Sequence, residues 1–352
     1  SRRKNRNMTE DSKKTQLFEE TPIPRAVMTL AVPTILSSLV MVLYNLADTY
    51  FVGMLNDPIQ NAGVTLAAPI LLAFNAVNNL FGVGSSSMMS RALGRKDFDT
   101  VARSSAFGFY CSVGAGLLFS LLCTVFLSPL LTLLGATPET ADATAGYLLW
   151  TTCLGATPSI LNVVMAYLVR SEGSAIHASI GTMSGCILNI ILDPIFILPQ
   201  GLNMGASGAG LATFLSNCAA CIYFFILLYK KRANSCIRIS PRNFSLEKNL
   251  VLGVCQVGIP SAIQNLLNVT SMTLLNNLTA VYGPDAVAAM GIAQKINQVP
   301  MQMAFGFSQG CMPIISYTYS GKLYSRMKDS IDFAFRALVP IMIGITALYF
   351  IF

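Results

Sequence analysis

Charge is what this chain has least of. Only 11% of its 352 residues are Asp, Glu, Lys or Arg, against about 25% in soluble globular domains, and mean hydropathy is +0.59. A water-soluble fold is excluded, and an integral membrane protein is left. Histidine is almost absent as well: His177 stands alone, with no paired His–Glu motif and no neighbouring ligands. An intramembrane enzyme or a zinc centre therefore lacks its machinery. The nine cysteines follow neither disulfide-framework nor zinc spacing, and Cys218 and Cys221 merely share a helix face. They read as reduced packing residues. Alternating ten-residue segments of a membrane barrel are missing. So is a cleavable signal peptide, because the first apolar run is too long and has no small-residue cleavage site.

What is present is a series of apolar stretches of about 20 residues or more, each long enough as a helix to cross a hydrocarbon core of about 30 Å. Nine spans are expected, over 26–55, 62–90, 103–128, 144–170, 174–199, 206–229, 250–281, 285–318 and 329–352. The basic residues orient them. Every Lys and Arg except Lys295 falls in the N-terminal 25 residues, in 91–103, at Arg170, in 230–248 or in 322–336, all on one side. The alternate loops 56–61, 135–142, 199–207 and 283–285 carry none. By the positive-inside rule the N-terminus and the even-numbered loops are cytosolic. The formal charge of +7 then reflects topology, and no nucleic-acid partner is implied.

The chain also repeats itself. A shift of 227 positions lays Pro33 on Pro260, Leu39 on Leu266, Ala62 on Ala289, Gly94 on Gly321 and Arg95 on Lys322. The unit is six spans long, so the halves are parallel repeats related by an axis along the membrane normal. The expected fold is an all-α polytopic membrane protein of two such repeats, the second incomplete, because Phe352 falls on Val125, near the end of the third span. The expected organisation is a cytosolic tail over 1–24, a six-helix lobe over 25–230, a cytosolic connection over 231–249, and the first three helices of a second lobe over 250–352. A complete chain would carry on the order of 100 further residues, and the opening Ser1–Asn7 before Met8 reads as a non-native start.

Two acids break the apolar pattern: Asp48 inside the run Ala26–Leu55, and Asp193 inside Ile176–Leu198. A charge at such depth costs roughly 3 kcal/mol or more unless paired, hydrated or protonated. Counted from the adjoining outer loops at about 1.5 Å per residue, both lie roughly 10–14 Å below the outer boundary. Tyr44 precedes Asp48 by one turn, and Asn189 precedes Asp193 by one turn, so each acid shares its helix face with a hydrogen-bonding neighbour. Thr213 and Asn217 fall at a similar depth, and Asn162 lies deeper. Two carboxylates together in a low dielectric cannot both stay ionised, so a shared proton or a small hard cation is implied. The plainer alternative is that each acid locks helices through one hydrogen bond, worth about 0.6 kcal/mol.

The second half has Leu275 where the shift would place Asp48. It offers amides instead: Gln264, Asn265 and Asn268 in the seventh span, then Gln294, Asn297, Gln298, Gln302 and Gln309 in the eighth. Of these, Gln264, Asn265, Asn268, Gln294 and Gln298, together with Asn217, are candidates for lining a substrate path. The 16 Met and 20 Phe residues suit a pocket that repacks around varied ligands.

The stretches PTILSSLVMVLYNLADTYFVG from Pro33, SRALGRKDFDTVAR, LVRSEGSAIHA, LNIILDPIFILPQGLNMGASGAGLAT and AVAAMGIAQKINQVP together resemble the multidrug and toxin extrusion (MATE) family, in its bacterial DinF-like branch. The resemblance runs from about Pro22 to the last residue. It implies a twelve-helix, two-lobed monomeric antiporter of the bacterial inner membrane. Such a protein exports cationic, amphipathic compounds in exchange for H+ or Na+ and needs no cofactor. It also implies an ion-coupling network of Tyr44, Asp48, Asn162, Asn189, Asp193 and Thr213, with Na+, where used, on Asp48, Asn189 and Asp193. Other members place a Glu in the seventh helix, where this chain has Gln264 and Asn265. A lipid-linked oligosaccharide flippase of related architecture is the alternative, and it would need a strongly basic central cavity.

Overall fold

The computed structural model describes residues 15–232 and 235–352, so most of the expected basic tail and two residues of the 231–249 connection lie outside it. The described residues form helices and turns with no strand. In chain order the helices are α1 (Ile23–Gly53), α2 (Pro58–Leu66), α3 (Ala68–Asn78), α4 (Gly84–Gly94), α5 (Phe98–Val125), α6 (Leu127–Leu133), α7 (Ala141–Leu148), α8 (Ala156–Ser171), α9 (Ala175–Ile197), α10 (Ala206–Lys231), α11 (Lys248–Ala280), α12 (Pro284–Ser320) and α13 (Tyr324–Ile351). Local chemistry starts several of them. Asp57 accepts from the Ile59 N–H at 3.0 Å ahead of Pro58, and Asp97 accepts from the Thr100 N–H at 3.3 Å. Both are N-caps that satisfy donors a helix start leaves free.

Among the described residues, seven helical segments are long and apolar enough to cross a membrane. The pair Ala141–Cys153 and Ala156–Ser171, bent by 47°, makes an eighth. The eighth expected span, 285–318, is the long helix α12 of 37 residues, which is not among these apolar segments. The amides noted in its sequence lower its hydropathy.

Two rods depart from plain α-geometry. Five-residue π segments interrupt α3–α4 at Asn79–Val83 and α7–α8 at Leu149–Cys153. Such bulges widen the helix locally, and the second sits where its rod bends. The bulge at Asn79–Val83 brings Gly82 against the Tyr167 ring, where a Cβ would meet it at 2.6 Å.

Helix α8 is the axle of the helices up to Lys231: twelve of its 16 residues are buried. Ile160, Val164, Met165 and Leu168 pack there with Phe74, Met89 and Phe224. Beyond Lys231 the chain is fastened back onto this group. The Glu172 carboxylate accepts from Ser235 Oγ, Cys236 N and Ile237 N at 2.6–3.2 Å, and Tyr110 OH donates to Ile239 O at 2.5 Å.

The helices after residue 248 meet the earlier ones along small residues, the usual way for helices to approach closely in lipid. A Cβ on Gly310 would lie 2.6 Å from Ala31 Cα, and one on Gly306 would lie 2.8 Å from Ser38 Oγ. Gly94 and Gly321, equivalent under the 227-residue shift, also touch. These contacts run from the basic end to about mid-depth. The buried residues of α12 all lie within 306–318, and none of α11 lies between 259 and 278. Toward the far end α11 and the first half of α12 are exposed or half-buried, with no residue buried from 259 to 278 or from 284 to 305.

Candidate functional site

The acids are brought together. Helices α1 and α9 pack along each other, and the carboxyl groups of Asp48 and Asp193 come within hydrogen-bonding reach of one another. Asp193 is 0% exposed and Asn189, one turn away, 2%. Pro194 follows Asp193 inside α9. Because it has no N–H, the Ile190 carbonyl lacks its helical donor at this same place.

The electrostatic character of the nest follows from what does not reach it. Asp48 Oδ1, both oxygens of Asp193 and Asn189 Oδ1 are buried with no hydrogen-bond partner. Unsatisfied polar atoms cost several kcal/mol each in hydrocarbon. Such a concentration of unpartnered acceptors could be satisfied by a proton shared between the acids, or by a small hard cation on oxygen ligands. The described residues contain no cluster of three or more His, Cys, Asp or Glu that could hold a metal.

The other expected members divide. The Tyr44 hydroxyl is within hydrogen-bonding reach of Thr213 and within electrostatic reach of both acids. Thr213 also donates to Ala209 O at 3.0 Å. Asn162 is turned elsewhere: its Nδ2 donates to Pro158 O at 2.7 Å, Ser159 O at 2.9 Å and Asn217 Oδ1 at 3.3 Å. Asn162 and Asn217 thus form a second polar pair, which takes up the carbonyls around Pro158. Sequence reasoning missed Tyr147 on α7, which is buried and lies within electrostatic reach of Asp48, Tyr44 and Asp193. Its only sequence signal is a tyrosine at outer depth in the fourth span.

The amides of α11 and α12 are not drawn to the acids. Gln264 and Asn268 are exposed, Asn265 and Gln298 half-buried, and Gln294 donates to Asn276 Oδ1 at 3.4 Å. Gln309 reaches the opposite helix group and donates to Tyr167 OH at 2.7 Å. Lys295 is exposed.

At the basic end the seam between the groups is latched. A helical turn over 15–19 lies across it: Phe18 stacks on Tyr317 with centroids 4.6 Å apart, and Glu19 accepts from Lys96 Nζ at 3.0 Å and Tyr317 OH at 2.7 Å. Arg326 donates to the carbonyls of Leu17, Phe18 and Thr21. Burial would raise the Glu19 carboxyl, but the hydrogen bonds from Tyr317 and Lys96 outweigh it and hold it below its ordinary value. Lys96 is held above its ordinary value: burial lowers it, and the bonds to Tyr317 and Glu19 prevail.

The described residues form an all-helical bundle of membrane-length helices with a nest of unpartnered carboxyl and amide oxygens buried inside it. The MatE family model matches residues 33–195 and 260–352, and the chain belongs to that family, the MATE efflux transporters. It is 33% identical over 314 residues to the multidrug export protein MepA of Staphylococcus haemolyticus, covering 89% of this chain and 68% of that protein. To MepA of Staphylococcus aureus strain MRSA252 it is 31% identical over the same lengths. A crystal structure of MATE in the straight conformation superimposes with a TM-score of 0.88 at 26% identity, over 96% of this chain and 74% of the other. A multidrug resistance MATE family transporter of the MOP superfamily in an outward-facing conformation gives 0.86 at the same identity and coverage.

Proposed function

We propose that this MATE-family protein is a secondary active antiporter that exports cationic or amphipathic small molecules in exchange for H+ or Na+. Its N-terminus and basic loops lie in the cytosol of a bacterium, and the chain works as a monomer. A six-helix lobe over 25–230 and the first three helices of a parallel second lobe over 250–352 face each other, with 231–249 joining them and α12 crossing the membrane as the eighth span. On this orientation the latched end is cytosolic and a cleft between the lobes faces outward.

The observation that carries the reading is the group of unpartnered buried oxygens on Asp48, Asn189 and Asp193. Occupied by H+ or Na+ they are satisfied; emptied, the two acids repel. Ion binding therefore favours whichever arrangement of α1 and α9 keeps the oxygens together, and a ligand shifts a conformational equilibrium only through such a difference. Tyr44, Thr213 and Tyr147 surround the acids and orient them, while Asn162 and Asn217 tie α8 to α10 beneath. Gln264, Asn265, Asn268, Gln294 and Gln298 line the cleft that a cationic substrate enters. The substrate class is carried over from the MepA relatives, whose name is multidrug export protein. The flippase alternative has no such support, since Lys295 is the single basic residue away from the basic face.

The test is efflux of a lipophilic fluorescent cation from proteoliposomes, with pH and Na+ gradients imposed separately. Asp48→Asn and Asp193→Asn should each abolish gradient-driven transport while the protein stays folded. Undiminished transport in both variants overturns the reading.

A further inference from the structure

Two cysteines 30 positions apart meet between neighbouring rods. Cys123, in the last turn of α5, and Cys153, the last residue of the π segment Leu149–Cys153, place their sulfurs 3.3 Å apart. Cys123 is 3% exposed and Cys153 half-buried, both within the cluster that includes Val52, Tyr147 and Ile197. The two thiols are free. A disulfide needs an S–S distance of about 2.05 Å, so the remaining approach from 3.3 Å is little more than 1 Å. Cys123 lies at the end of α5 remote from the basic face. On the orientation proposed above, this is the outward half, the side on which thiols meet oxidants rather than glutathione.

We propose that Cys123 and Cys153 form an oxidisable dithiol site whose reagent is a small two-electron thiol oxidant, and that the bond, once made, restrains the bend of the α7–α8 rod. In the step, each thiol gives up its proton and the pair gives up two electrons as the S–S bond forms. A diazene oxidant such as diamide takes up both protons and both electrons and leaves as the hydrazine. Dithiothreitol reverses the step and is itself oxidised to its cyclic disulfide. The consequence for motion follows from position. Cys153 ends the bulge at which the rod turns by 47°, and Tyr147, next to the acids, sits on the helix that leads into it. Tying Cys123 to Cys153 anchors that turn to α5.

The test begins with the protein in proteoliposomes and no gradient, so its result does not depend on the antiport reading. After diamide, denaturation and maleimide labelling, mass spectrometry of the digest should find the peptides of Cys123 and Cys153 joined, lighter by two hydrogens, and unlabelled. Dithiothreitol should restore both as labelled peptides. In Cys123→Ser, and in Cys123→Ala as a second background, Cys153 should remain open to labelling after the same treatment. Both cysteines fully labelled in diamide-treated wild type, or either joined to a different cysteine, overturns the site. Transport of the lipophilic cation by the oxidised wild type should fall severalfold and return with dithiothreitol, and in Cys123→Ser it should not respond. Transport that is unchanged once the bond has formed overturns the restraint on the bend.

Discussion

Asp193 shows how a single residue becomes readable. A carboxyl within an apolar run is conspicuous in sequence, and helical spacing places it level with Asp48. What the spacing does not give is the surroundings: four buried oxygens without donors, and Pro194 withholding one more N–H. Asp193→Asn keeps the volume and supplies an N–H for the neighbouring acceptors, so thermal stability should hold or rise while ion-driven transport is lost. Asp193→Leu removes the acceptors and should also fold, because an apolar residue replaces a polar group of similar size. A melting curve and a transport assay on both variants separate the two effects, and a collapse of the fold in Asp193→Asn would show that the carboxylate is structural. Tyr147 was not legible, because a tyrosine near a membrane boundary is ordinary and only the packing of α7 aims it at the acids. Tyr147→Phe removes one hydroxyl, a loss of about 1 kcal/mol, and should slow transport by up to about tenfold with little change in melting temperature. Asn162 was legible as polar but not as to its partners, because Pro158, four residues earlier, lies on its own helix and offers the nearer acceptor.

Helix existence follows directly from long apolar runs; the starts at Pro58 and Phe98 lie four and five residues ahead of the expected 62 and 103, because an aspartate N-cap begins each helix before its apolar run does. The two π segments do not follow from such runs. A π bulge inserts a residue without changing composition, so periodicity carries no sign of it, yet it sets where α7–α8 turns and which face Gly82 presents to Tyr167. Close helix approach is legible only in part: small residues are visible, but which of them meets a neighbour is a tertiary fact. Gly310 and Gly114 make the contrast. A Cβ on Gly310 would strike Ala31, while one on Gly114, exposed on α5, would meet nothing within 4 Å. Gly310→Leu should therefore force α1 from α12 and destabilise by about 1–3 kcal/mol, as overpacking does. Gly114→Ala should be neutral or stabilising by up to about 1 kcal/mol. Thermal melts of the two variants in detergent test the pair, and equal melting temperatures would contradict the close contact.

For the whole molecule, the proposed outward-facing arrangement requires that the basic end be held shut, and the turn over 15–19 is placed to hold it. Phe18 is 1% exposed and lies against Tyr317 of α12 and near Gly173, between α8 and α9, so it touches both helix groups at once. Its burial is an apolar contribution, and truncating a buried Phe to Ala typically removes about 3–5 kcal/mol. The ion pair of Glu19 with Lys96 is partly exposed and contributes little by comparison. Its pH dependence has a definite sign. Glu19 is depressed, so its share is present above the ordinary carboxylate range and is lost only as pH falls through its lowered value; Lys96 is raised, so its share is present below the ordinary lysine range and is lost only as pH rises through its raised value. Between those limits, which bracket neutrality, the latch does not titrate, and a response of transport to pH near 7 has to arise elsewhere in the bundle. Cys311 is a native reporter of this seam, buried between α1 and α12 among Val27, Ala31 and Phe307. Phe18→Ala should raise the rate at which maleimide applied from the basic side labels Cys311 by tenfold or more, because the seam opens more often. Glu19→Gln should raise it severalfold at most and equally at pH 6 and pH 8. A labelling rate for Phe18→Ala no faster than that of the unaltered protein would mean that the helix packing alone keeps the end shut, with the N-terminal turn resting on a seam already closed.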